Sequence, residues 1–244
     1  MDWGYVSYPD ITLWRSRVDG SDRLQLTSPP IMAGLPHWSP DGTQIAFTDI
    51  QPGRPYKTLL VSAQGGAAQE VLAENLFQVD AEWSPDGKQM VFGRNATERA
   101  TVQLLDLNSK QVSIIPGSQG LFSPRWSPDG RYLAALSFDG RKIVIFDFET
   151  QKWSDWVSGP WINGYPAWSW DGKYLYFEAW GTEAPGYYRI KLGQARSELV
   201  VDLHDLRRYF GPSGTWAGIT PDGSPLFVRD ASTDEIYALD LDLP

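Results

Sequence analysis

The sequence has no cysteine. Disulfides, thiolate nucleophiles and cysteine-bound zinc are therefore excluded. Histidine is scarce: His37 and His204 are the only two, so a Ser-His-Asp triad would have to draw on one of them. The stretch Gly211-Pro212-Ser213-Gly214 falls one residue short of a nucleophile elbow. It is also predicted in a loop, not between a strand and a helix. Metalloprotease H-E-x-x-H and phosphate-binding P-loop patterns are missing. Asp19-Gly20-Ser21-Asp22 holds half the residues of a calcium loop, and its composition reads as a turn. No catalytic residue, metal site or cofactor is expected. Basic runs are missing too; the densest is Arg207-Arg208, read as solvated or paired. A formal net charge of −9 repels phosphate backbones, so no nucleic-acid partner is expected. No apolar run reaches the roughly 18 residues of a membrane span, and no secretory leader is recognisable. No segment keeps a 3.6-residue period, so no long helix is expected.

What the 244 residues do contain is a repeat. Trp38-Ser39-Pro40-Asp41-Gly42 returns as Trp83-Ser84-Pro85-Asp86-Gly87 and as Trp126-Ser127-Pro128-Asp129-Gly130. Two worn copies follow, Trp168-Ser169-Trp170-Asp171-Gly172 and Ile219-Thr220-Pro221-Asp222-Gly223. The interval of roughly 42 to 51 residues is that of a propeller blade or a solenoid unit. Proline presets φ near −65°, glycine supplies a positive φ, and aspartate bonds amides two residues on. That is hairpin chemistry joining a first strand to a second. Asp41, Asp86, Asp129, Asp171 and Asp222 are therefore read as structural turn residues, and the Trp before each turn as a wedge between blades.

Around each turn lie short runs rich in β-branched and aromatic residues, bounded by turn pairs. The fold expected is an all-β propeller of four-stranded antiparallel blades. The predicted strands number about 22, which fits six blades with both terminal blades incomplete; the alternative is five. The whole chain, 1–244, is read as a single domain with repeats near 1–30, 31–75, 76–118, 119–160, 161–212 and 213–244. Strands are predicted at 5–8, 11–16 and 23–27 before the first full repeat, and at 235–241 in the last. Segment 204–213 is read as an insertion holding a short helical turn. The start at a strand-like segment reads as the boundary of a piece of a larger protein. Incomplete terminal blades leave edges that either close the ring in a monomer or pair in a dimer.

Function is sought where the repeats differ. Asp80 and Glu82 are paired carboxylates just ahead of Trp83, and His37, Glu82 and Arg125 each stand just before a motif Trp, at equivalent places on the innermost strand. They either form a small polar site at the axis or bond one another between blades. Aromatic residues gather on segments leading into first strands or joining second to third: Phe77, Phe122, Trp161, Tyr165, Trp180, Tyr209, Phe210 and Trp216, with Leu121. In a propeller those segments share one face. A mouth ringed by Trp161, Tyr165, Trp180, Trp216 and Phe122 would suit a peptide, a sugar or a partner protein, with Trp161 and Trp180 as the preferred exposed pair.

The Trp-Ser-Pro-Asp-Gly turn, a strand such as Gln44-Ile45-Ala46-Phe47 and a later strand closing in Leu105-Asp106-Leu107 resemble the TolB-type propeller repeat. The stretches 12–21 and 216–240 are similar to the C-terminal propeller regions of bacterial membrane-anchored winged-helix regulators and Ser/Thr kinases. That resemblance implies a non-enzymatic interaction or sensing domain of a bacterial protein, extracytoplasmic, with a protein or peptide partner. Two alternatives stand beside it. One is an accessory, gating propeller of a peptidase-like hydrolase. The other is a truncated or engineered propeller with no activity of its own.

Overall fold

The computed structural model describes residues 11–17, 19–73, 77–94, 99–181, 183, 185–209, 214–220 and 222–232. Those residues form strands and turns, with no helix among them. A two-stranded sheet comes first, β1 (Trp14–Arg15) with β2 (Leu24–Gln25). Blade one is β3 (Ala33–Trp38), β4 (Gln44–Asp49), β5 (Lys57–Ser62) and β6 (Gln69–Glu70). Blade two is β7 (Val79–Trp83), β8 (Gln89–Arg94), β9 (Thr101–Asp106) and β10 (Val112–Ile114). Blade three is β11 (Leu121–Trp126), β12 (Tyr132–Ser137), β13 (Lys142–Asp147) and β14 (Lys152–Ser158). Blade four is β15 (Ile162–Trp168), β16 (Tyr174–Trp180), β17 (Gly186–Lys191) and β18 (Ser197–Asp202). A two-stranded sheet, β19 (Ala217–Ile219) with β20 (Pro225–Phe227), ends the series. Every blade is a meander in sequence order, antiparallel throughout.

The expectation of six blades, or five, is corrected: the described residues make four four-stranded blades flanked by two two-stranded sheets. Among the described residues the terminal sheets are two strands wide. Strands β1 and β2 pair over two residues each, although longer strands were predicted there. Pro225 brings no N–H to a ladder, and β20 ends at Phe227. The strands predicted at 5–8 and 235–241 lie outside the described residues. In segment 204–213 the chain makes a turn after Leu203 and a bridge from Arg208 to Arg229, with no helical turn among its described residues.

The motif hairpin is held by a serine as much as by its aspartate. Ser39 Oγ donates to Asp41 Oδ1 at 2.6 Å and accepts from the amide of Gln44 at 2.9 Å. Asp41 also accepts from the amide of Thr43. Ser84, Ser127 and Ser169 repeat this pattern. Each motif glycine has positive φ, 70° at Gly42 and 76° at Gly130, the left-handed conformation the turn requires.

The apolar core lies between blades. Trp83 packs with Ala46 and Leu60 of blade one, and Trp126 with Val91 and Val102 of blade two. Trp168 packs with Ala134 and Ile145 of blade three. Trp126 is also stacked on Phe148 with ring centroids 5.2 Å apart. These large flat rings supply much of the inter-blade contact.

Candidate functional site

The first strand of each blade carries a bulge at one place. The register slips between Gly34 and His37, Val79 and Glu82, Phe122 and Arg125, and Gly164 and Ala167. Three residues before the motif Trp, φ is positive: 50° at Leu35, 55° at Asp80, 52° at Ser123 and 48° at Tyr165. A non-glycine residue in that region costs about 1–2 kcal/mol. The device is nonetheless repeated in all four blades, and bulges re-aim side chains. Here the residue just before the Trp reaches the axis in every blade, as His37, Glu82, Arg125 and Ala167. The bulged residue itself reaches it as Leu35 and Tyr165, whereas Asp80 and Ser123 are buried behind the wall.

Together these strands enclose a cavity of about 730 Å³ that opens at the end of the motif hairpins, where Pro40, Pro85 and Pro128 line it. Its wall has two chemistries. On blades one to three it carries His37, Glu82 and Arg125 beside the motif tryptophans Trp38, Trp83 and Trp126. Arg125 Nη2 donates to both oxygens of Asp80, at 3.0 and 2.9 Å, and Nη1 donates to the carbonyl of Pro124 at 2.8 Å. His37 Nε2 lies 3.1 Å from Asp80 Oδ1, and Ser123 Oγ donates to Oδ2 at 2.5 Å. Glu82 Oε2 stands 3.7 Å from Arg125 Nε. Burial pushes Asp80 up, but the Arg125 guanidinium, with His37 and Ser123, overrides it and holds the carboxyl well below the usual carboxylate range. Glu82 goes the other way: burial raises it, and Arg125 offsets that only in part.

On blade four and beyond the wall is aromatic, with Tyr165, Trp168, Trp170 and Trp216. Burial, with Asp80 and Glu178 nearby, pushes the Tyr165 phenol up to about 12. Trp216 is anchored from behind. Arg208 Nη2 donates to its carbonyl at 2.7 Å while pairing with buried Glu178 at 3.1 Å, and Thr215 Oγ1 donates to the same carboxylate.

Of the residues singled out by sequence, His37, Glu82, Arg125, Tyr165 and Trp216 meet in this cavity. Phe122, Trp161 and Trp180 do not line it. Trp161 and Trp180 are half-buried, not exposed. The Trp161 indole donates to Asn163 Oδ1 at 3.0 Å. The Trp180 ring lies so close over Gly164 that a Cβ there would meet it at 2.6 Å. Phe122 packs against the core between blades three and four. The aromatic mouth expected at the ends of the first strands' leading segments is thus found at the opposite, motif end. Phe210 lies outside the described residues. Sequence reasoning named Asp80 only as a carboxylate beside Glu82, and passed over Ser123 as a partner and Trp38 and Trp170 as rim residues. The signal for Asp80 was its place, three before the motif Trp, where the bulge favours a residue tolerant of positive φ.

Among the described residues no cluster of three or more His, Asp or Glu could hold a metal ion. No protein-family model matches the chain. An uncharacterized peptidase, YuxL, from Bacillus subtilis is 29% identical over 149 residues, covering 61% of this chain and 22% of that protein. A TolB homolog from Chlorobium chlorochromatii is 32% identical over 129 residues, 49% of this chain and 27% of its own. The crystal structure of TolB from Acinetobacter baumannii superposes with a TM-score of 0.71 at 20% identity, over 90% of this chain and 54% of that one. The chain thus spans about a quarter of the length of the curated relatives it matches. These likenesses support a TolB-like β-propeller homology.

Proposed function

We propose, from the premise of that homology, that the chain is a non-enzymatic binding propeller that takes a segment of a protein or peptide partner into its central cavity from the motif end. The observation that carries the reading is the cavity itself. Five side chains singled out for their non-repeating character converge on one space of about 730 Å³, within the size range of ligand sites. Half-exposed tryptophans at its rim supply the rigid contact area that partner surfaces favour. The likeness to TolB proteins supports an extracytoplasmic, bacterial setting. The resemblance at 12–21 and 216–240 supports a sensory role, with the cavity's occupant as the signal.

The test is a peptide library selected on the whole folded chain, with affinities then measured on Ala167→Trp, which fills the cavity. Selected peptides should lose at least about tenfold in affinity on the variant, equal to about 1.4 kcal/mol. Unchanged affinity on a variant with native circular dichroism overturns the reading. The likeness to a peptidase favours a second reading, an accessory propeller whose cavity admits substrate peptides to a catalytic domain. Joined to such a domain, Ala167→Trp would then change turnover of long peptides and leave dipeptide substrates alone.

A further inference from the structure

We propose that the cavity selects a basic side chain, the lysine or arginine of a partner peptide, and holds it between the Glu82 carboxylate and the indoles of Trp38, Trp170 and Trp216. The inference rests on the cavity being the binding site and adds the chemistry of its occupant.

The polar part of the wall leaves little choice of sign. Its guanidinium is already committed: Arg125 spends Nη1 and Nη2 on Pro124 and Asp80. Its imidazole faces Asp80. An anionic ligand would find those donors taken and would meet Glu82. Glu82 lines the cavity with about a quarter of its side chain exposed; its Oε2 is buried and accepts no hydrogen bond, and its closest cation, Arg125 Nε, stands 3.7 Å away. An apolar occupant would cover this carboxylate without pairing it, which is costly. A cation compensates it. The tryptophans bordering the cavity suit the same guest. Trp38, Trp170 and Trp216 are 51%, 76% and 40% exposed and border the same space, and indole is the best ring for holding an ammonium or guanidinium. The net charge of −9 steers such a guest inward.

The experiment is an NMR titration of the whole chain, read at the indole N–H signals. Nα-acetyl-lysine methylamide and its arginine counterpart are compared with the norleucine isostere and with calcium chloride at equal ionic strength. The basic amides should saturate with shifts at Trp38 and Trp170, and norleucine should bind at least about tenfold more weakly. Glu82→Gln should erase that difference while leaving norleucine unchanged. Trp170→Ala, at an exposed position, should weaken lysine without altering the fold. Norleucine binding as tightly as lysine, an equal response to calcium, or lysine affinity indifferent to both variants overturns the proposal. Library peptides that enter the cavity without a basic residue would sink this inference alone. Peptides that bind elsewhere, while the lysine amide still shifts Trp38 and Trp170, would sink the docking reading alone.

Discussion

Both ends of the propeller carry tryptophans and use them differently. At the end where first strands begin, Trp161 and Trp180 lie on the bare backbones of Gly159 and Gly164. Glycine there gives an indole a flat surface to cover, and the rings become part of the wall. At the motif end, Trp83, Trp126 and Trp168 each find a preceding four-stranded blade and are buried. Trp38, at the end of the first strand of blade one, is left half exposed. Trp170 stands where the other copies have proline, with no neighbour to cover it. Exposure therefore follows from what lies beneath a ring, and aromatic content alone does not locate a binding face.

The largest effect should come from the polar network between the two ends. Asp80→Ala would leave the Arg125 guanidinium buried without its carboxylate, and it should cost about 3–5 kcal/mol in a urea melt. A pH arm accompanies it. The folded-state pKa of Asp80 is depressed, so its contribution is present above about pH 4, its unfolded range, and is lost as pH falls toward the folded value. Wild type should therefore lose more stability than Asp80→Asn between pH 5 and pH 3. Parallel acid profiles would contradict the assignment.

Gly164→Ala comes next. The new methyl would meet the Trp180 ring at 2.6 Å, so the ring must lift, at about 1–3 kcal/mol, with a red-shifted tryptophan emission. An unshifted spectrum would show that the ring is not seated there. Asp129→Ala removes two hydrogen bonds from a motif hairpin, those from Ser127 Oγ and the Arg131 amide. It should cost about 1 kcal/mol, read from the thermal midpoint. The smallest effect on stability separates the ends most sharply. Trp170→Ala should change the unfolding free energy by less than about 0.5 kcal/mol and yet reduce partner affinity at least about tenfold.

How much of this was legible in the sequence follows from the same contrast. The hairpin code of Trp38 to Gly42 and its copies named the architecture, because each residue type does a local job. The blade count did not follow from the repeat count, because among the described residues the first and last repeats pair only two strands each, over two and three residues. His37, Glu82 and Arg125 were found because repeat position alone places them together. Asp80 was legible only as a carboxylate beside Glu82, and Ser123 not at all, because a bulge breaks the two-residue alternation that strand reading relies on. The orientation of the aromatic end was misread for the same kind of reason: whether Trp180 or Trp170 is covered depends on Gly164 and on a missing proline, both of which act through space.

The most direct measurement follows the indole N–H signals while a library-selected peptide is titrated into the folded chain. The account predicts that Trp38 and Trp170 shift and saturate together while Trp161 and Trp180 stay still. Movement of Trp161 and Trp180 with Trp38 and Trp170 unmoved would contradict it and return the binding face to the opposite end.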